Sequence, residues 1–250
     1  MAWNANKKRT VKKSITKGLF EYIKETNPNK VFKCYLCLPS TKATDVKEAL
    51  RQGVIDKNTK IIAMDHDYRY LSKMKAALTR LGFKAKSRVV IYDDLCKITT
   101  KRLLLACEQL GVDKIDLCYI DTCNCLIQDL QHWIKNLVND ACTIDAVITT
   151  NVLAARATWD LEQYRKKGKY LLSRGNKNKW ASPIGHCLEN HTNKLTGFIV
   201  GYKEEDVSSP MVLCVNGWSF HSRNGEPYAS VEAIHKAIVK AKSYQNLGYA

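Results

Sequence analysis

Apolar residues in this chain fall into short unbroken runs, separated by longer stretches with helical spacing, and the two kinds alternate. The run Val31 to Leu38 stops at Pro39-Ser40, and the stretch from about Ala43 to Gln52, closed by Gly53, reads as a helix. A second run, Lys60-Ile61-Ile62-Ala63-Met64, ends on Asp65-His66-Asp67. Helical spacing returns from Tyr68 to Leu81, with Leu71, Met74, Leu78 and Leu81 on one face, Gly82 as the stop and Asp67 where an N-cap belongs. The third strand, Arg88 to Tyr92, ends on Asp93-Asp94. Thr99 or Thr100 caps the next helix, which carries Leu103, Leu104, Cys107 and Leu110 and closes at Gly111. A fourth strand, Ile115 to Ile120, ends at Asp121. The helix after it, about Cys125 to Asn139, buries Leu126, Leu130, Trp133, Ile134 and Leu137. The fifth strand is Asp145 to Thr149, and Asn151 then caps a helix through Arg165.

Five strand–helix pairs therefore repeat at about 28-residue intervals, and their strands are apolar throughout rather than alternating. That is the pattern of an α/β fold: a doubly wound, mostly parallel sheet with helices on both faces and right-handed crossovers. Ahead of it, residues 1 to 13 read as a basic arm. A helix from Ser14 to Thr26 follows, with Ser14 as cap and Ile15, Leu19, Tyr22 and Ile23 on its inner face. Behind it, residues 166 to 194 lose all periodicity. Two strand-like segments, Thr196 to Lys203 and Met211 to Asn216, are joined by a loop too short for a crossover, so they must form an antiparallel hairpin. A last amphipathic helix, about Ser230 to Lys242, carries Val231, Ile234, Ile238 and Ala241. The expected organisation is an arm and helix over 1–30, an α/β domain over 31–217 with a basic insertion at 166–194, and a helical extension over 218–250.

Composition sharpens the picture. An apolar fraction of 45% in 250 residues suffices for one large core. No run approaches the roughly 18 apolar residues of a membrane helix, and no apolar segment follows the basic N-terminus as in a signal peptide. A cytoplasmic protein without membrane contact is expected. Lys and Arg number 40 against 24 acids, a net charge of +16, which draws polyanions and favours nucleic acid, DNA or RNA, as partner. Ten cysteines suggest disulfides or zinc, but their placement opposes both. Cys34 and Cys37 lie in a strand whose alternation sends them to opposite faces, and Cys123 and Cys125 have no second pair at zinc-site spacing. Free thiols and no metal are expected.

The chemistry concentrates at the carboxyl ends of the strands, where ligands reach an open α/β sheet. The turn after the first strand (Leu38, Pro39, Ser40) leads into a helix start, and Asp65 can accept hydrogen bonds from two ribose hydroxyls. His66 stands beside it. Asp93 and Asp94, followed by Leu95, close the third strand, and Asp121 is the candidate for the reacting pocket. For each acid the competing reading is a cap or a solvated turn. Lys166, Lys167, Lys169, Arg174, Lys177, Lys179 and Trp180 mix cations with flat rings, the pairing that neutralises phosphates and stacks unpaired bases; a plain basic loop is the alternative.

In element order, about residues 31 to 217 resemble the class I S-adenosylmethionine-dependent methyltransferases, whose seven-stranded sheet closes with an antiparallel hairpin. Leu38-Pro39-Ser40, the helix after it and Gly53-Val54-Ile55 resemble a branch found in phages and mobile elements. The resemblance implies S-adenosylmethionine as cofactor. It also implies that Leu38 to Ser40, Asp65, His66 and Asp93 to Leu95 line its site and that Asp121 lies at the acceptor. The family's Gly-x-Gly turn is here Leu38-Pro39-Ser40-Thr41-Lys42, without glycine, and Asp121-Thr122-Cys123-Asn124 keeps only the first position of the amino-methylating motif. Two other readings stay open: a nucleic-acid-binding protein without turnover, and a different use of the same cofactor.

Overall fold

Four consecutive buried residues, Cys34–Cys37, form β1, the strand about which the others are arranged. The computed structural model describes residues 10–95, 97–125, 133–134, 136–153, 198–202 and 211–215. In chain order these make α1 (Thr10–Thr26), β1, α2 (Thr44–Arg51), β2 (Lys60–Asp65), α3 (Tyr68–Arg80), β3 (Arg88–Tyr92), α4 (Thr100–Leu110), β4 (Ile115–Cys125) and β5 (Cys142–Leu153). The parallel order is β3-β2-β1-β4-β5. Two further strands, β6 (Phe198–Tyr202) and β7 (Met211–Val215), complete the described elements. β7 pairs antiparallel with β5, and β6 pairs antiparallel with β7.

Strand alternation divides the core in two. Tyr35, Cys37, Ile61, Ala63, Leu117 and Tyr119 face α1, α2 and α3. Cys34, Leu36, Ile62, Met64, Cys118 and Ile120 face α4 and the segment from Trp133 to Ala141. Cys34 and Cys37 thus lie on opposite faces, and with Cys107, Cys118 and Cys142 they are buried free thiols. On the first face the Phe20 ring meets Tyr35 and Tyr119 edge-on, at centroid distances of 6.3 and 6.0 Å. Rings so arranged favour each other by about 1 kcal/mol beyond burial, which fixes α1 over the centre of the sheet. At the amino ends of the strands, the two oxygens of buried Asp116 accept the backbone N–H groups of Lys33, just before β1, and of Cys34, its first residue, at 2.8 Å. Burial pushes Asp116 upward in pKa while those N–H groups oppose the shift.

Several boundaries differ from the sequence reading. α1 begins at Thr10, so Ser14 lies inside the helix rather than capping it, and residues 10–13 belong to the helix rather than to an arm. No glycine or proline stops the helix there, and Val11, Lys12 and Lys13 all tolerate it. β4 runs on to Cys125 and β5 starts earlier, at Cys142, and ends later, at Leu153. Asn151 is consequently a strand residue opposite Leu213 of β7, not a helix cap. The β-branched neighbours Thr149, Thr150 and Val152 suit the pleat, and pairing on both sides of the strand outweighs the capping preference of Asn. Between β4 and β5, Cys125 is extended rather than helical, and Leu137–Ala141 form a single wide π turn. Elsewhere Asp67 caps α3 by accepting from Arg69 N, and Thr99 caps α4 by accepting from Arg102 N. No helix among the described residues is long and apolar enough to cross a membrane. The expected helix after residue 153, the basic insertion and the C-terminal helix lie outside the described residues.

Candidate functional site

Sheet register carries the candidate residues into one row. Cys37 stands opposite Ala63 and Tyr119; two residues further on, Asp65 pairs with Tyr92 and Asp121 with Asn151. Residues paired across strands project to the same face. Tyr92, Asp65, Asp121 and Asn151 therefore line the carboxyl edge on the α1–α3 side. The row lies at the topological switch, since the chain leaves β1 towards β2 but leaves β4 towards β5, and a crevice opens at such a point.

The turn after β1 sits inside this row. Pro39 is buried, Leu38 packs against the core on the α4 side, and Ser40 is exposed. Ser40 carbonyl accepts the Ala43 N–H at 2.8 Å and its hydroxyl oxygen accepts from Lys42 N at 3.3 Å. Ala43, fully buried, then adopts φ 46° and ψ 48°. A non-glycine residue held there costs about 1–3 kcal/mol. The chain thus makes, with alanine, the left-handed step that glycine usually makes.

In the first turn of α2 stands a residue the sequence reading missed. Asp45 is 8% exposed and lies on the same face as Val46 and Ala49. The Tyr35 hydroxyl donates to its Oδ2 at 3.3 Å. Burial drives its pKa up to about 6; backbone Val46 N–H opposes the rise and the Asp121 carboxylate adds to it. Tyr35 in turn is pushed up, first by burial and then by Asp45. The carboxyl groups of Asp45 and Asp121 thus feel each other's charge.

Asp121 is half-buried, and its Oδ1 accepts from Asn151 Nδ2 at 2.9 Å. Asp65 is also half-buried, and its Oδ1 accepts the Asp67 N–H at 2.8 Å. His66 is exposed, its Nδ1 3.5 Å from Asp65 Oδ1. Asp67 is committed to α3: hydrogen bonds from Arg69 hold its pKa down to about 2. Asp93 ties the edge together, because its N–H donates to Asp65 carbonyl and its carboxylate pairs with Arg102 of α4. Asp94 is exposed, 3.6 Å from Lys97 Nζ, and Leu95 packs on the core beneath. The structure therefore brings Leu38 to Ser40, Asp65, His66, Asp93 to Leu95 and Asp121 to one edge. Lys166, Lys167, Lys169, Arg174, Lys177, Lys179 and Trp180 lie outside the described residues.

The strand tips present carboxylate acceptors to this edge. A carboxylate offers about four acceptor positions, and the Asp67 N–H takes one of those of Asp65. Asp45 gave one readable signal, an acid at apolar spacing within α2. Asn151 gave none.

No family model matches the sequence, and no curated protein does. Solved structures do. The methyltransferase domain of bacterial CtHen1-C is 13% identical, covers 84% of this chain and 100% of its own, and gives a TM-score of 0.50. The plantazolicin methyltransferase BpumL, solved with SAH, is 9% identical over 86% of this chain and 87% of its own, with a TM-score of 0.49. An rRNA methylase from Streptococcus thermophilus is 11% identical over 80% and 95%, with a TM-score of 0.43. At such identities the likeness concerns the fold: this chain has an α/β fold with a parallel sheet like that of S-adenosylmethionine-dependent methyltransferases.

Proposed function

We propose that the protein is an S-adenosylmethionine-dependent methyltransferase acting on nucleic acid. The observation that carries this reading is the edge row itself, with a half-buried carboxylate at the tip of β2 and a second, amide-held carboxylate in β4. Taken together, the parallel strands and the antiparallel pair at the β5 edge make the seven-stranded sheet with closing hairpin of class I enzymes. Asp65 would hold the ribose, with His66 at its rim. Asp94 and the backbone at Leu95 would serve the adenine amino group, since Asp93 is occupied by Arg102. The turn from Leu38 to Ser40 would border the methionine end.

The bound cofactor supplies an electrophilic methyl group on a sulfonium that departs readily. What remains for the chain is alignment and exclusion of water. Asp121 would orient the acceptor or the cofactor amine, and Asn151 holds that carboxylate oxygen in place. A buried Asp45, its pKa raised to about 6, would carry a proton only in mildly acidic solution and add its charge to that of Asp121. The basic segment 166–194 would guide the target strand. The net charge of +16 supports a polyanionic acceptor.

A second reading, nucleic-acid binding without turnover, draws on Ala43, because a buried methyl in the turn limits how closely backbone approaches a ligand. Transfer of radiolabelled methyl from S-adenosylmethionine to DNA, RNA and protein separates the two. Label in nucleic acid supports the enzyme; cofactor binding with no label in any acceptor supports the binding module.

A further inference from the structure

We propose that the outer face of α3, together with the carboxyl end of β3, is a docking surface for single-stranded nucleic acid. The inference rests on the reading of the acceptor as nucleic acid and assigns it a place that the segment 166–194 does not. Between Tyr68 and Tyr92 the sequence holds seven cations (Arg69, Lys73, Lys75, Arg80, Lys84, Lys86 and Arg88) and not one acid. Among the described residues β3 is an edge strand of the sheet, so α3 and β3 lie at one side of it. Met74, Ala77 and Leu78 take the inner face of α3, while Arg69, Lys73 and Arg80 are exposed. Their spacing of four and seven residues places them on one line along the helix. Arg69 shares its charge with Asp67, which leaves Lys73 and Arg80 as the principal cations of that line.

Flat rings sit at the same end. The exposed large aromatics among the described residues are Tyr68, Tyr70 and Tyr92, at 68%, 39% and 52% exposure. Tyr68 and Tyr92 meet edge-on at 6.4 Å, and Lys73 Nζ lies 5.9 Å from the Tyr70 ring centre. Three partly exposed rings gathered at one end of α3 form an apolar patch on the surface, and such a patch marks an interaction site. Rings beside cations are what a strand with unpaired bases requires: phosphates meet lysine and arginine, and bases stack on the faces. A duplex keeps its base faces covered and would leave the tyrosines without a role. Because Tyr92 stands opposite Asp65, a strand held here would run to the lip of the carboxyl edge.

The test measures binding of labelled single strands of about 12 nucleotides, of DNA and of RNA, to the full chain by fluorescence anisotropy across a salt series. The variants are K73E/R80E and Y68L/Y70L, with circular dichroism and S-adenosylmethionine titration as checks on folding. The double charge reversal should weaken binding at least about tenfold and flatten the log–log salt dependence by about 1.4, about 0.7 for each lost phosphate contact. Removing two rings should weaken binding about fivefold or more per ring with the salt slope unchanged. Both variants should bind cofactor as the wild type does. Unchanged affinity in both variants, while the wild type still methylates nucleic acid, would overturn this surface and leave the functional reading intact. Competition by polyglutamate equal to that by oligonucleotide would overturn it too, as a mere anion face. No binding of either strand by the wild type would overturn both.

Discussion

Asn151 Nδ2 donates to Asp121 Oδ1 at 2.9 Å, across adjacent parallel strands, from a side chain with no exposure to solvent. A buried amide that spends a donor in this way fixes the direction of a half-exposed carboxylate, and alignment is the main service methyl transfer asks of a protein. Asp121→Ala should therefore lower the rate of methyl transfer by about 100-fold. Stability should change by only about 1 kcal/mol, because Asp121 is half-buried. Asn151→Leu should cost about 1–3 kcal/mol through the lost hydrogen bond and also slow transfer. Transfer rates and Tm measured on the same preparations check this. A full-rate Asp121→Ala protein would contradict the role assigned to the carboxylate.

Asp45 makes the fold sensitive to pH. Its folded pKa of about 6 lies above the ordinary aspartate value near 3.8, so the folded chain holds this proton more tightly than the unfolded one. The stability associated with it is fully present below about pH 4 and is lost as pH rises through about 6. At neutral pH the penalty is about 3 kcal/mol, at 1.36 kcal/mol per unit. Asp45→Asn should thus raise Tm relative to the wild type at about pH 8 and bring no gain at about pH 4. Calorimetry across that range decides; a Tm difference that does not vary with pH would show that Asp45 is not the titrating group.

Ala43 opposes two effects of similar size. Ala43→Gly relieves the left-handed strain but exposes a void of one buried methyl, worth about 0.8 kcal/mol. The net change in stability should be under about 1 kcal/mol. Ala43→Val should cost about 3 kcal/mol or more, since a β-branched residue at positive φ in a filled core satisfies neither constraint. Urea unfolding of the two variants provides the check, with equal destabilisation of both as the contrary outcome.

The first three strands were legible because each apolar run ends at Pro39, at Asp65 or at Asp93, where the turn chemistry is local. β5 was not. Asn151 reads locally as a helix cap, and only its pairing with Asp121 on one side and Leu213 on the other makes it a strand residue. α1 shows the same limit in reverse, since Ser14 has good capping chemistry but nothing before it stops the helix. The acids at the strand tips could be found from the pattern, yet their states could not. Asp93 is taken up by Arg102, nine residues on, and Asp45 gains its raised pKa from burial under α2 and from Asp121 on another element. Those are properties of packing, which period and composition do not encode.

Titration calorimetry of S-adenosylmethionine into the wild type and into Asp65→Ala tests the central claim most directly. A saturable one-to-one isotherm for the wild type, weakened about 100-fold in the variant through loss of hydrogen bonds to a charged group, is the predicted result. No heat of binding in the wild type, or the same affinity in both proteins, would contradict it.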